Sequence, residues 1–236
     1  MSANAEVLGR SALIGSSERG TVLPRAGAFG ETKDWNPEDF AREQIRGLVR
    51  RVFFSSGDRP VKQVVFSAAE SHIDVASICD RVAQALARET RAHVAIADRG
   101  RRIAETAYSW PYSPGTSAIK SSSTQMAINL WRVPGIGFGE YGKESGTGLD
   151  WLSHLATLRN EFEYAVINGP SAGTSSEAAL LGQLADGIIL VVRAHSTRKV
   201  TARQIKETLE GAQCRILGTV LSARTFPVPE RIYRRL

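Results

Sequence analysis

Strands alternating with helices along most of the chain predict a single α/β domain built on a doubly wound, mainly parallel sheet with helices on both faces. Three observations carry this. The stretch 62–86, KQVVFSAAESHIDVASICDRVAQAL, reads as a buried strand (Val64, Val65, Phe66), a loop from Ser67 to Asp74 and an amphipathic helix. Its apolar positions Val75, Ile78, Val82 and Leu86 recur every three or four residues. Other strands, above all Gly187 to Val192, are continuously apolar, as strands covered on both faces are.

The elements follow in order. Residues 1–35 mix Gly, Ser, Ala and charge without sustained periodicity and are expected to be a flexible tail, leaving 36–236 as the domain. Asn36-Pro37 supplies an N-cap and a proline at the first helical position. The helix it opens, to about Phe54, sets Phe40, Ile45, Leu48, Val49 and Val52 largely along one side. That face suits either a partner or the protein's own sheet. After the strand–loop–helix unit comes a strand from His93 to Ala97, ending at Asp98 and the basic residues Arg99, Arg101 and Arg102. Ser, Pro, Gly and Tyr then dominate Ala104 to Thr124, which predicts a long loop at the carboxyl end of that strand, the edge where doubly wound sheets bind ligands. A short strand, Ile128 to Val133, follows. The Gly137-Phe-Gly139-Glu-Tyr-Gly142 run behind it is formally G-x-G-x-x-G, but no helix opens from it, so it is read as a mobile loop rather than a dinucleotide fingerprint. Next come a helix from Leu149 to Asn160, a strand from Tyr164 to Ile167 ending in Asn168-Gly169-Pro170, and a helix from Ser176 to Leu184. The Gly187 strand, a helix from Arg198 to Gly211, a strand from Arg215 to Leu221 and a basic tail close the chain.

Composition narrows the function classes. The hydrophobic share of 42% supports a packed core, and no apolar run reaches the ~20 residues of a membrane helix. With no hydrophobic signal region at the start, a cytoplasmic protein is expected. Cys79 and Cys214 lie inside apolar elements and read as reduced core residues, and His72, His93, His154 and His195 show no ligand spacing. The net charge of +6 permits an anionic partner, yet the arginines are spread over several elements without interleaved aromatics. A solvated basic surface is therefore expected, and no nucleic-acid partner.

The loop of the 62–86 unit has the length of a G-x-x-x-x-G-K-[ST] phosphate loop, in which backbone N–H groups face the phosphates, a lysine meets the terminal ones and a hydroxyl holds Mg²⁺. Here Ala69 and Asp74 stand at the glycine positions, Val75 at the lysine and Ala76 at the hydroxyl. Aspartate is a good N-cap, and the N–H groups it would cap are those a phosphate needs. Asp74 is thus expected either to fill the anion site with the protein's own carboxylate or simply to cap a helix that never met a nucleotide.

Four separated stretches resemble one family, the cytoplasmic bacterial tyrosine kinases of capsule and exopolysaccharide assembly, relatives of the MinD/ParA-type P-loop ATPases. SAAESHIDVAS (67–77) stands where the family has its phosphate loop, and VAIADRGRR (94–102) is similar to its strand ending in D-x-D-x-R. EYAVINGPSAGTSSEAALLGQLADGIILVVRAHSTR (163–198) is similar to the strand-Asp-Thr-Pro-Pro segment and the D-G-hydrophobic strand after it, and LSARTFPVPERIYRRL (221–236) to family tails. With INLWRVP (128–134) the series is collinear over about residues 37–236. The resemblance implies a P-loop NTPase-like fold and places the degenerate nucleotide-site positions at Ala69, Asp74, Val75, Ala76, Ser77, Asp98, Arg102 and Asn168. Ser77 retains a hydroxyl next to the expected one, Asp98 matches the first Asp of the second motif and Arg102 its Arg, while Gly100 replaces the second Asp. Asn168 replaces the Walker B Asp and Gly169 the following Thr. The tyrosine cluster of family tails is absent, Tyr233 being the only tyrosine after Tyr164.

Loss of these parts together removes most of what stabilises a transferring phosphoryl group. The resemblance therefore implies a catalytically impaired scaffold or regulator of polysaccharide synthesis and export, with no cofactor. Its implied partner is the cytoplasmic end of a chain-length-determinant (Wzz-like) membrane protein, which would hold it at the inner face of the membrane. An active ATP- and Mg-dependent kinase or ATPase, with Asp98 at the metal and Ser77 supplying the hydroxyl, is the enzyme alternative, and a MinD/ParA-like positioning protein a second. Asp39-x-x-Arg42 followed by Arg46 only partly matches the family's subunit-contact helix, so a homo-oligomer is an expectation from family membership alone.

Overall fold

The computed structural model describes residues 36–55, 59–98, 118–121, 123–134 and 148–223. Arg102, the 137–142 glycine run, the 1–35 segment and the basic tail lie outside them. In chain order the elements are α1 (Pro37–Phe53), β1 (Gln63–Ala68), α2 (Ala76–Glu89), β2 (Val94–Asp98), α3 (Ala118–Ser121), β3 (Thr124–Ala127), β4 (Leu130–Pro134), α4 (Gly148–Glu161), β5 (Tyr164–Asn168), α5 (Glu177–Leu184), β6 (Gly187–Arg193), α6 (Lys199–Gly211) and β7 (Ile216–Ser222).

The strands form one seven-stranded sheet in the order β3-β4-β2-β5-β1-β6-β7, parallel throughout except for the β3–β4 pair. The predicted fold class is therefore the observed one. The chain leaves β1 in one direction, across β5 to β2, and leaves β5 in the other, across β1 to β6. Divergence of that kind opens a crevice at the carboxyl ends of the strands, and it gathers Ala69, Asp98 and Asn168 there.

Every residue of β1 is buried, which explains why it reads as a continuous apolar run rather than an alternating one. α2 packs on β2 and β5; of the expected stripe Val75, Val82 and Leu86 are buried and Ile78 is half-buried, with Cys79 and Ala83 buried beside them. The valine and leucine side chains each contribute roughly 1.5–3 kcal/mol when fully buried. Asn36 caps α1 as its sequence predicts, its Oδ1 accepting from the Glu38 amide at 2.9 Å. Of the two uses open to the apolar face of α1, the protein's own domain takes it. Val49 and Val52 are buried, Phe53 stands edge-on to Tyr164 at 5.8 Å, and Arg46 and Arg50 pair with Glu89 of α2 at 3.0 and 3.3 Å.

The segment 104–134 departs from the sequence reading. Its far end is not loop: α3 and the edge strand β3 lie there, and the strand expected from Ile128 begins at Leu130. Both escape pattern reading for physical reasons. All four residues of β3 are exposed, so it carries no apolar alternation. The four residues of α3 are too few to show a helical period, and it is held by Glu161, whose carboxylate accepts from the amides of Ile119 (3.4 Å) and Lys120 (2.7 Å). Ile128 and Asn129 form the β3–β4 turn. Ile128 is 91% exposed at its tip, while the Asn129 amide donates to the carbonyls of Ala87, Thr90 and Ala92.

Candidate functional site at the carboxyl edge

The carboxyl ends of β1, β2 and β5 and the start of α2 bring together seven of the eight residues singled out from sequence. Ala69 follows β1 directly and is buried, its amide donating to the Val191 carbonyl at 2.8 Å. Val75 is buried too and puts hydrocarbon where a phosphate-binding lysine would stand, and Ala76 is the first residue of α2.

Asp74 does what an N-cap does. Its Oδ1 accepts from the Ser77 amide at 3.1 Å and its Oδ2 from the Ser77 hydroxyl at 2.5 Å. The helix proper begins at Ala76, so the cap sits a residue further out than the helix boundary alone suggests. These hydrogen bonds from the Ser77 hydroxyl and amide hold the Asp74 carboxyl below its ordinary value and keep it charged at neutral pH. The one hydroxyl left in the loop's helical turn is thus donated inward, to the protein's own carboxylate.

At the end of β2, Asp98 is also engaged. Its Oδ1 accepts from the Asn168 amide at 2.9 Å and its Oδ2 from Arg132 at 3.1 Å. The same guanidinium reaches Asp80 of α2 at 2.7 Å. Neither Arg132 nor Asp80 stands out in the sequence, yet one signal was there. Arg132 is the lone charge in the apolar run LWRVP, and a cation in a strand covered on both faces must find an acid. Register explains which one: Arg132 lies opposite Ile96, and Asp98 projects from the same face two residues on.

A tight loop closes the crevice beside β1. Ser67 donates to the Pro170 carbonyl at 2.5 Å, Ala172 to the Ala68 carbonyl at 2.8 Å and Gly169 to the Phe66 carbonyl at 2.9 Å. Two glycines make this approach feasible. A Cβ on Gly169 would lie 2.6 Å from Val65 Cγ1, and one on Gly173 2.1 Å from the Ala69 carbonyl oxygen. The glycine at the family's Thr position thus has a packing reason.

A magnesium-bound triphosphate needs N–H donors facing it, a cation for its terminal oxygens, and a free hydroxyl and carboxylate for the metal. Here a carboxylate occupies the first turn, Val75 supplies no charge, Ser77 donates to Asp74, and Asp98 is held by a guanidinium and an amide. Arranged in this way, the residues do not fit that group. The thiol of Cys79, buried beneath, is pushed well up by desolvation and then by the fields of Asp98, Asp80 and Asp74.

The chain is 23% identical over 197 residues to the tyrosine-protein kinase YwqD of Bacillus subtilis, spanning 80% of this chain and 83% of that kinase. Among solved structures, the chimerical protein CapA2B2 superposes with a TM-score of 0.62 at 18% identity, over 80% of this chain and 86% of that one. The MinD cell division protein of Aquifex aeolicus does so at 0.51 and 14% identity, over 74% and 73%. No protein-family model matches the chain. The fold is that of the P-loop NTPases.

Proposed function

We propose, from the premise that this chain belongs to the bacterial tyrosine-kinase family, that it is a catalytically impaired member acting as a scaffold or regulator in capsule or exopolysaccharide synthesis and export. The Asp74 carboxylate carries the reading, because it occupies with its own charge the amides and hydroxyl that a phosphate and its metal would require. Proteins of this fold switch when a γ-phosphate and its Mg²⁺ order their loops. A loop capped from within has no such input, so the surface it supports is constant and works by binding rather than by turnover.

The partner is the cytoplasmic end of a Wzz-like chain-length-determinant protein, which would bring the protein to the membrane. Among the described residues no helix is long and apolar enough to cross it. Self-association follows the family in the same proposal. Binding of the partner's purified cytoplasmic segment should be equal with and without Mg-ATP.

Calorimetric titration with Mg-ATP, alongside a phosphate-release assay, tests the proposal. No binding below millimolar concentration is expected, and micromolar binding with turnover would overturn it. The triple change Asp74→Gly, Val75→Lys, Ala76→Ser reopens the amides and restores the charge and hydroxyl. It should bring Mg-ATP binding into the micromolar range, and its continued failure to bind would remove Asp74 as the obstacle.

A further inference from the structure

Among the described residues, Arg132 is the one cation paired with Asp80 and Asp98 at the carboxyl edge. Its side chain is 14% exposed, and it joins Asp80 on α2 to Asp98 on β2 from a third element, β4. Two half-buried carboxylates so close would repel strongly without a cation between them. Asn168, a neutral amide, satisfies the second Asp98 oxygen without adding charge. We infer that Arg132 is a built-in counter-ion that takes the place of a divalent cation at this corner, locking α2, β2 and β4 together without metal or nucleotide. This rests on the reading that the site is not a nucleotide site, and goes further by naming what replaced the metal.

A guanidinium suits the task better than an ammonium. Its fork offers two N–H donors in one plane, here 2.7 Å from Asp80 and 3.1 Å from Asp98, and it cannot lose its charge. The inference also explains why Asp98 persists beside a loop that lacks the phosphate-binding lysine. In this arrangement Asp98 is a structural ligand of Arg132. Removing the cation should leave two unpaired carboxylates, a geometry that hydrated divalent ions accept with one or two protein ligands.

The experiment is thermal unfolding of the full chain and of Arg132→Met, which keeps the apolar stem, with and without Mn²⁺ at matched ionic strength. Arg132→Met is expected to melt roughly 5–10 °C below the wild type, the scale for breaking a largely buried pair in a domain of this size. Millimolar Mn²⁺ should recover a saturable part of that loss in Arg132→Met. It should do nothing for the wild type, and nothing further for the double variant Asp98→Asn/Arg132→Met, which should itself melt higher than the single one. An Mn²⁺ response equal in all three, or absent from Arg132→Met, overturns the inference. If Arg132→Met does not fold, recovery of folding in the double variant supports it. Failure of both overturns it in favour of a purely steric role. Mg-ATP turnover by the wild type would refute the scaffold proposal but leaves these unfolding results to be judged by themselves.

Discussion

The two ends of β1 solve the same problem differently. At the amino end of β1, Asp186 accepts from the amides of Lys62 and Gln63 at 2.8 and 2.7 Å and from Arg159 at 2.8 Å. Gln63 completes the clamp, its amide donating to the Leu155 carbonyl at 2.8 Å while its Oε1 accepts from Arg159 at 3.3 Å. Here one carboxylate meets three donors. At the carboxyl end, three carboxylates share one guanidinium, one amide and the first turn of α2. The first arrangement is saturated and serves stability alone. Among the described residues, the second sets three carboxylates against a single guanidinium, the pattern of a site whose charges are not set by packing alone.

The largest expected effect breaks the saturated end. Burial alone would raise the Asp186 carboxyl, but the hydrogen bonds from Arg159, Gln63 and Lys62 outweigh it and hold it below the usual range. Asp186→Ala leaves two strand-end amides and Arg159 without their acceptor and should cost about 3 kcal/mol in urea denaturation. Asp98→Asn at the other end relieves surplus charge while Arg132 keeps Asp80, and should change stability by less than about 1 kcal/mol. Equal losses at both ends would erase the distinction.

The same asymmetry governs how much the sequence disclosed. Periodicity and apolar runs depend on burial over several residues, so every other strand and helix was legible within a few residues; the elements missed are α3, four residues long with Ile119 in the core, and β3, exposed throughout. Asp74 was legible as a cap because capping is local, a contact over three residues. Arg132 and Asp80 were not, because their meeting with Asp98 depends on β4 lying beside β2 and on the register that faces Arg132 to Ile96. Long-range pairing of charges leaves no periodic trace. Asp186 hid for the same reason, two of its partners, the Lys62 and Gln63 amides, lying more than 120 residues away at the start of β1.

A second, smaller effect lies in acid. His154, on the helix that carries Leu155 and Arg159 to the saturated end, is buried, and desolvation lowers its pKa from the ordinary 6.5 to about 4. Between those values the unfolded chain binds a proton that the folded one refuses, so stability falls as pH drops through this window, by at most about 3 kcal/mol. The carboxylates Asp186 and Asp74, both depressed, keep their contribution down to the ordinary aspartate range and lose it below. His154→Leu should flatten the urea midpoint between pH 6.5 and 4 and leave the loss below pH 4 in place. An unchanged slope would dissociate His154 from the acid response.

The smallest expected effect separates the two roles open to Asp74. As a cap it accepts from the Ser77 amide, and asparagine can do the same through its side-chain oxygen without the charge. Asp74→Ala should therefore cost about 1 kcal/mol and Asp74→Asn only a few tenths, both read as shifts in urea midpoint at pH 7. Below the ordinary aspartate range the wild type should converge on Asp74→Asn, because protonation removes the charge but leaves a neutral oxygen acceptor, whereas the gap between Asp74→Asn and Asp74→Ala should not follow pH. If the carboxylate also excludes anions, the two ends of β1 differ in a second way. Inorganic phosphate should then raise the melting temperature of Asp74→Asn more than that of the wild type, while the Asp186 end, already saturated by its donors, responds to neither. Equal phosphate responses in wild type and Asp74→Asn would reduce Asp74 to a cap and nothing more.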